Sequence, residues 1–149
     1  MERTPEDIRD ELLVFECQDG SEEAFKTLIR RWEPRLVRLA SHLVGDREAV
    51  GDIVQETWLA VVRRIGRLDD PARFRSWVFR IAANKCKDWI RRRSVRRRRM
   101  RELGDEETLV EAEEGTDGSA RTTQVRRALA TMPESQRVVL SLHYLDGMS

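Results

Sequence analysis

Apolar residues recur through the first hundred positions at spacings of three and four, and the residues between the runs are those of helix ends. Thr4 followed by Pro5 sets a capping side chain ahead of a proline at the first helical position, with Asp7 in the first turn. The helix so predicted carries Ile8, Leu12, Leu13 and Phe15. Asp19-Gly20-Ser21 breaks it, and Ser21 caps a second helix, where Ala24, Phe25, Leu28, Ile29 and Trp32 trace a 3.6-residue stripe. Pro34 is expected to bend this helix rather than end it, because Leu36, Val37, Leu39, Ala40 and Leu43 resume the pattern. Gly45 suits the position just past a helix end, and Asp46 suits the cap of a third helix running to about Gly66. Asp69-Asp70-Pro71 is a turn and cap that opens a fourth helix. No strand-like alternation occurs. The pattern predicts an all-α fold, a bundle of four to five helices over residues 1–101.

The chain beyond residue 101 reads differently. Residues 102–120 are acidic, hold three glycines and lack aromatics, which predicts a flexible linker. Residues 121–149 give two shorter helical segments, one with Val125, Leu129 and Met132, the other starting near Pro133 with Val138, Val139, Leu142 and Tyr144. A segment this short buries little core alone, and Val138, Val139 and Leu142 are expected to lack cover. At 149 residues the chain suits one domain plus a small appendage. Two distant cysteines, Cys17 and Cys86, match no metal spacing and point to a reducing cytoplasm rather than a disulfide framework. No apolar run approaches the roughly 20 residues that span a bilayer, so direct membrane insertion is not expected. The polar, acidic N-terminus is not a signal peptide.

Charge changes the picture most. The net charge of the chain is only +1. Yet Asn84 to Arg101 holds ten basic residues against one acid, Asp88, and Glu102 to Ser119 holds eight acids and no base. Such segregation makes a strong local positive field where the net charge predicts none. On a helical projection Val78, Ile81, Ala82, Cys86 and Trp89, with Trp77, form an apolar side. Arg80, Asn84, Lys87, Arg91 and Arg98 are placed on the opposite side. Basic side chains at this spacing can track phosphates, and an asparagine among them can hydrogen-bond a base edge. Asp88 stands at the border, where its carboxylate can orient Arg91 or Arg92 or accept from a base amine. Eight arginines from Arg91 to Arg101 without an interleaved acid argue against a merely solvated face. In Arg73-Phe74-Arg75-Ser76-Trp77, aromatics interleaved with arginine suit stacking on unpaired bases. For Trp77, core packing is the simpler account.

On the third helix Val50, Val54, Trp58, Val61, Val62 and Ile65 are expected to be buried. Asp52, Gln55, Glu56, Leu59 and Arg63 lie opposite. Acids, an amide and one apolar anchor suit a protein-docking face, and equally a solvated face with one stray leucine. Enzyme chemistry finds no foothold. His42 and His143 are isolated, neither cysteine has a nearby histidine, Ser21 and Ser149 read as caps, and no glycine-rich phosphate loop or paired-carboxylate motif occurs. The expectation is a non-enzyme with no catalytic residue, metal, cofactor or small-molecule substrate.

Asp52-Ile53-Val54-Gln55-Glu56-Thr57-Trp58, then Phe74-Arg75-Ser76-Trp77-Val78-Phe79-Arg80-Ile81-Ala82-Ala83-Asn84, then Asp88-Trp89-Ile90-Arg91-Arg92, closely resemble the extracytoplasmic-function sigma factors of bacterial RNA polymerase. Residues 24–36 and 128–137 fit the same family, so the resemblance runs in order along nearly the whole chain. It implies a region-two-like domain at 1–101 for core binding and the promoter −10 element, a linker at 102–120, and at 121–149 an incomplete start of the −35-binding domain. By this resemblance Asp52, Gln55, Glu56, Leu59 and Arg63 dock on the clamp helices of the polymerase β′ subunit. Arg73, Phe74, Arg75 and Trp77 belong to the stretch that opens the −10 element and captures a flipped base. Arg80, Asn84, Lys87, Asp88, Arg91 and Arg92 belong to its recognition helix. The implied partners are core polymerase, −10 promoter DNA and an anti-sigma factor. In the family a helix-turn-helix that reads the −35 element follows. The sequence ends at Ser149 without it, and little −35 recognition is expected. The alternative is an interaction module that occupies polymerase or an anti-sigma factor without initiating.

Overall fold

The computed structural model describes residues 2–104, 124, 127, 128 and 131–146. Among these the regular structure is helical: α1 Pro5–Gln18, α2 Glu22–Val44, α3 Arg47–Arg64, α4 Phe74–Glu102 and α5 Glu134–Asp146. Two 3-10 turns, Ile65–Arg67 and Pro71–Arg73, join α3 to α4. The expected linker at 102–120 falls almost wholly outside the described residues, as do Val125 and Leu129.

The starts of α1, α2 and α3 are built by the side chains expected to build them. Thr4 and Asp7 close a reciprocal capping box at α1, Ser21 accepts from the Ala24 amide at α2, and Asp46 accepts from the Glu48 and Ala49 amides at α3. Asp70 caps the 3-10 turn before α4, so the basic helix itself begins at Phe74, three residues later than Pro71 implied. Gly45 ends α2 at φ 71°, the left-handed conformation that favours glycine. α2 runs through Pro34 without interruption.

α2 lies at the centre and packs against α1, α3, α4 and α5. Its Trp32 meets Phe74 and Phe79 of α4 edge to face, with centroids 5.8 and 5.6 Å apart. Phe25 meets Trp58 of α3 likewise at 6.1 Å. Such pairs add roughly 0.5–1.5 kcal/mol each beyond area burial. Polar ties fix α1 in place. Arg31 Nε donates to Asp10 at 2.7 Å, which pushes the guanidinium pKa up. Gln18 Nε2 donates to the carbonyls of Ile65 and Leu68, each at 2.9 Å.

On α1, Ile8, Leu12 and Phe15 are exposed, and the fully enclosed apolar residue is Val14. Two expectations are corrected, on α3 and α5. On α3, Val62 is exposed while Ile53 and Thr57 are buried. The Thr57 hydroxyl donates to the Ile53 carbonyl at 2.7 Å, which satisfies it inside the core. At the far end Val138 is buried at 7% exposure and Leu142 is half-buried against the same core, so α5 spends its apolar stripe on α2. Val139 alone of the three is exposed, at 64%.

Candidate nucleic-acid interface and docking face

α4 is anchored along its first half. Phe74, Val78, Phe79, Ile81, Ala82, Ala83 and Cys86 are buried, a spacing of three, four and seven that keeps one side of the helix in the core. Burial pushes the Cys86 thiol up to about 12, so it packs as a neutral group. This anchoring fixes the rotation of the helix, and with it the direction of every basic side chain.

The other side carries Arg80, Asn84 and Arg91, all exposed, and Lys87, half-buried. At about 100° per residue these four fall within an arc of about 60°, and Arg98 continues it. Asp88 is exposed at the edge of the arc. Arg92 Nε donates to the Asp88 backbone carbonyl at 3.4 Å, so the expected carboxylate contact is replaced by a main-chain one. Arg93 lies over the Trp89 ring at 5.1 Å, which draws it toward the bundle side.

The two aromatics before the stripe part company. Phe74 is 1% exposed and is held between Trp32 and Trp77, at 5.8 and 5.9 Å. A ring so enclosed cannot stack on a base, which corrects its expected role. Trp77 is half-buried. Its helical position lies within about 20° of Asn84, seven residues on, so it borders the cationic stripe instead of opposing it. Arg73 is exposed and pairs with Asp70 at 3.7 Å, and Arg75 is half-buried beside Phe74.

On α3 the structure brings Asp52, Gln55, Glu56, Leu59 and Arg63 together on one exposed face. Leu59 is 50% exposed, and Val62, three residues on, is 55% exposed. Sequence reasoning missed Val62, because it follows Val61 in an apolar pair and only the packing decides which of the two turns inward. The face now has two adjacent apolar anchors ringed by polar groups, a composition suited to protein docking. Glu56 pairs with Lys85 of α4 at 3.9 Å, so this face abuts the basic helix. Among the described residues no cluster of three metal-ligating side chains occurs, and no helix is long and apolar enough to cross a membrane.

The sigma-70 region 2 family matches residues 28–96, which takes in most of α2, all of α3 and the anchored part of α4. The chain is 28% identical to the ECF RNA polymerase sigma-E factor of Salmonella typhimurium and to that of Escherichia coli strain K12, over 97% of this chain and 80% of each relative. It is 24% identical to the Haemophilus influenzae sigma-E factor, over 97% of this chain and 81% of that one. Among solved structures, CnrH in complex with the cytosolic domain of CnrY superposes with a TM-score of 0.68 at 26% identity, covering 95% of this chain and 77% of that one. With a region 2 match on its core helices and sigma-E relatives along nearly its whole length, the chain is similar to the extracytoplasmic-function sigma factors of the sigma-70 family.

Proposed function

We propose that this chain is a sigma factor that joins core RNA polymerase through the Asp52, Gln55, Glu56, Leu59, Val62 and Arg63 face of α3 and holds the separated −10 strand of promoter DNA on the outer side of α4, in the initiation of transcription. One observation carries the reading. A single helix has its apolar side locked into the core and its cationic side exposed, with Asn84 and the rim of Trp77 set among the cations. A rigid row of this kind can bind phosphates without first ordering itself.

The energy for melting comes from binding. Extruding a base costs a few kcal/mol, and stacking on an aromatic edge contributes roughly 1–3 kcal/mol per base. Trp77 can supply that edge; Phe74 supports it from beneath. Arg80, Lys87, Arg91 and Arg92 neutralise strand phosphates. With about 0.7 counterions released per contact, four contacts give a salt slope of about −2.8, or roughly a 50-fold loss of strand affinity between 50 and 200 mM salt. Asn84 and Asp88 face the bases. Arg73 and Arg75 flank the entry to the stripe.

Promoter DNA recovered with the reconstituted holoenzyme, labelled with 2-aminopurine in its −10 element, tests this. Fluorescence should rise on adding holoenzyme and should not rise with the Trp77→Ala, Asn84→Ala variant. A full rise with that variant would overturn the reading. Holoenzyme that forms but never raises the signal, even with the unaltered chain, would instead favour a module that occupies polymerase without initiating. CnrH was solved in complex with a second protein, the cytosolic domain of CnrY, and that likeness supports extending the proposal to a regulatory protein partner for this chain, an anti-sigma factor.

A further inference from the structure

α1 carries an apolar row that the fold leaves open. Ile8, Leu12 and Phe15 are 47%, 57% and 48% exposed. With Pro5 and Asp19, also exposed, they recur at spacings of three, four, three and four, the seam period of two paired helices. On a helical projection the five lie within an arc of about 80°, centred about 140° from the buried Val14. The bundle fixes this direction. Asp10 is tied to Arg31 at 2.7 Å, and Gln18 donates to the carbonyls of Ile65 and Leu68, so α1 is held from rolling its seam inward.

We propose that this seam pairs with the same seam of a second copy of the chain, α1 against α1, antiparallel about a two-fold axis near Leu12. Charge selects this occupant. In an antiparallel pair each flank of the seam faces the same flank of the other copy. Arg9 and Glu16 are both exposed on one flank, and the two-fold axis sets Arg9 of each copy beside Glu16 of the other, which makes two pairs of opposite charge. The other flank holds Glu11, whose carboxylate is already paired with Arg3 of its own chain. Asp19 falls opposite the start of the second α1, where the helix dipole favours a carboxylate. A parallel pairing would instead bring Glu11 against Glu16, two acids. At the centre Leu12 meets its own copy, and Ile8 meets Phe15. The seam is about 21 Å long and buries less than the roughly 1,200 Å² of a stable interface, so the dimer is weak, with a Kd on the order of 10–100 µM. It forms only where the free chain is concentrated.

Sedimentation velocity of the full chain from about 1 to about 300 µM brackets that Kd. The weight-average mass should rise from the 17.5 kDa of one chain toward twice that value. Leu12→Lys keeps helix propensity and should weaken association at least tenfold, with Tm unchanged within about 2 °C. Arg9→Glu and Glu16→Arg should each weaken it about three- to tenfold, since each turns both flank pairs into like charges. Mixed in equal amounts, these two variants should associate at least as tightly as the unaltered chain, because both flank pairs between unlike copies are then of opposite charge. A mass that stays at 17.5 kDa throughout would overturn the proposal. In that case a lower Tm in Leu12→Lys would show the seam covered by another part of this chain, and an unchanged Tm would leave it to a different protein. Association that survives Leu12→Lys places the dimer elsewhere and also overturns the proposal. No gain on mixing would refute the antiparallel pairing.

Discussion

Phe74 separates a packing role from a stacking role. The ring is 1% exposed, meets Trp32 at 5.8 Å and 74°, and lies 5.9 Å from Trp77. Phe74→Leu keeps an apolar side chain of similar reach and loses both ring contacts. At roughly 0.5–1.5 kcal/mol per aromatic pair, the loss is about 1–3 kcal/mol. Phe74→Ala also opens a cavity at the start of α4 and should cost about 3–5 kcal/mol. For a chain of this length 1 kcal/mol corresponds to about 2–4 °C in Tm, so the leucine variant should melt about 2–12 °C lower and the alanine variant lower still. Thermal denaturation by circular dichroism reads the first quantity. Binding of a −10 single strand by the holoenzyme, well below the melting range, reads the second. The leucine variant should bind within about twofold of the unaltered chain. Unchanged stability with a tenfold loss of strand binding would refute the packing argument and return Phe74 to the DNA.

The docking face predicts that Asp52→Arg or Glu56→Arg weakens core polymerase binding at least tenfold in a co-purification titration. Stability should change by less than about 1 kcal/mol, since both residues are exposed and the 3.9 Å Glu56–Lys85 pair is a surface one. Undiminished co-purification would count against the face. Burial that raises the Cys86 thiol from near 9.0 to about 12 has a definite sign. The folded state resists deprotonation, so this contribution is fully present below pH 9 and is lost as pH rises toward 12, at up to about 1.4 kcal/mol per pH unit. Urea stability should therefore fall less steeply between pH 9 and 11 in Cys86→Ala than in the unaltered chain; equal slopes would show that the thiol is not enclosed.

Helix ends were legible because capping is local chemistry. Thr4, Ser21, Asp46 and Asp70 accept from backbone amides two or three residues away, and nothing distant has to be known. The exposed stripe of α4 was legible for a similar reason, since a helical period and a charge run agreed. Phe74 was not, because its neighbours in sequence are arginines while its ring packs against Trp32 of α2, 42 residues away. Trp77 shows the limit of a projection without a fixed origin. The seven-residue step already puts Trp77 beside Asn84, and the buried set of α4 shows that this side faces outward. Val62 and Val138 turned on tertiary packing, α3 against α2 in one case and α5 against α2 in the other, which no local pattern encodes.

The central claim is that the outer side of α4 grips the opened −10 strand. Its most direct measurement is the equilibrium affinity of core polymerase, reconstituted with this chain, for a −10 single strand. The account predicts that Asn84→Ala with Arg91→Ala lowers that affinity at least tenfold and makes the salt slope shallower by about 0.7, the share of one lost phosphate contact. Affinity and slope equal to those of the unaltered chain would contradict it.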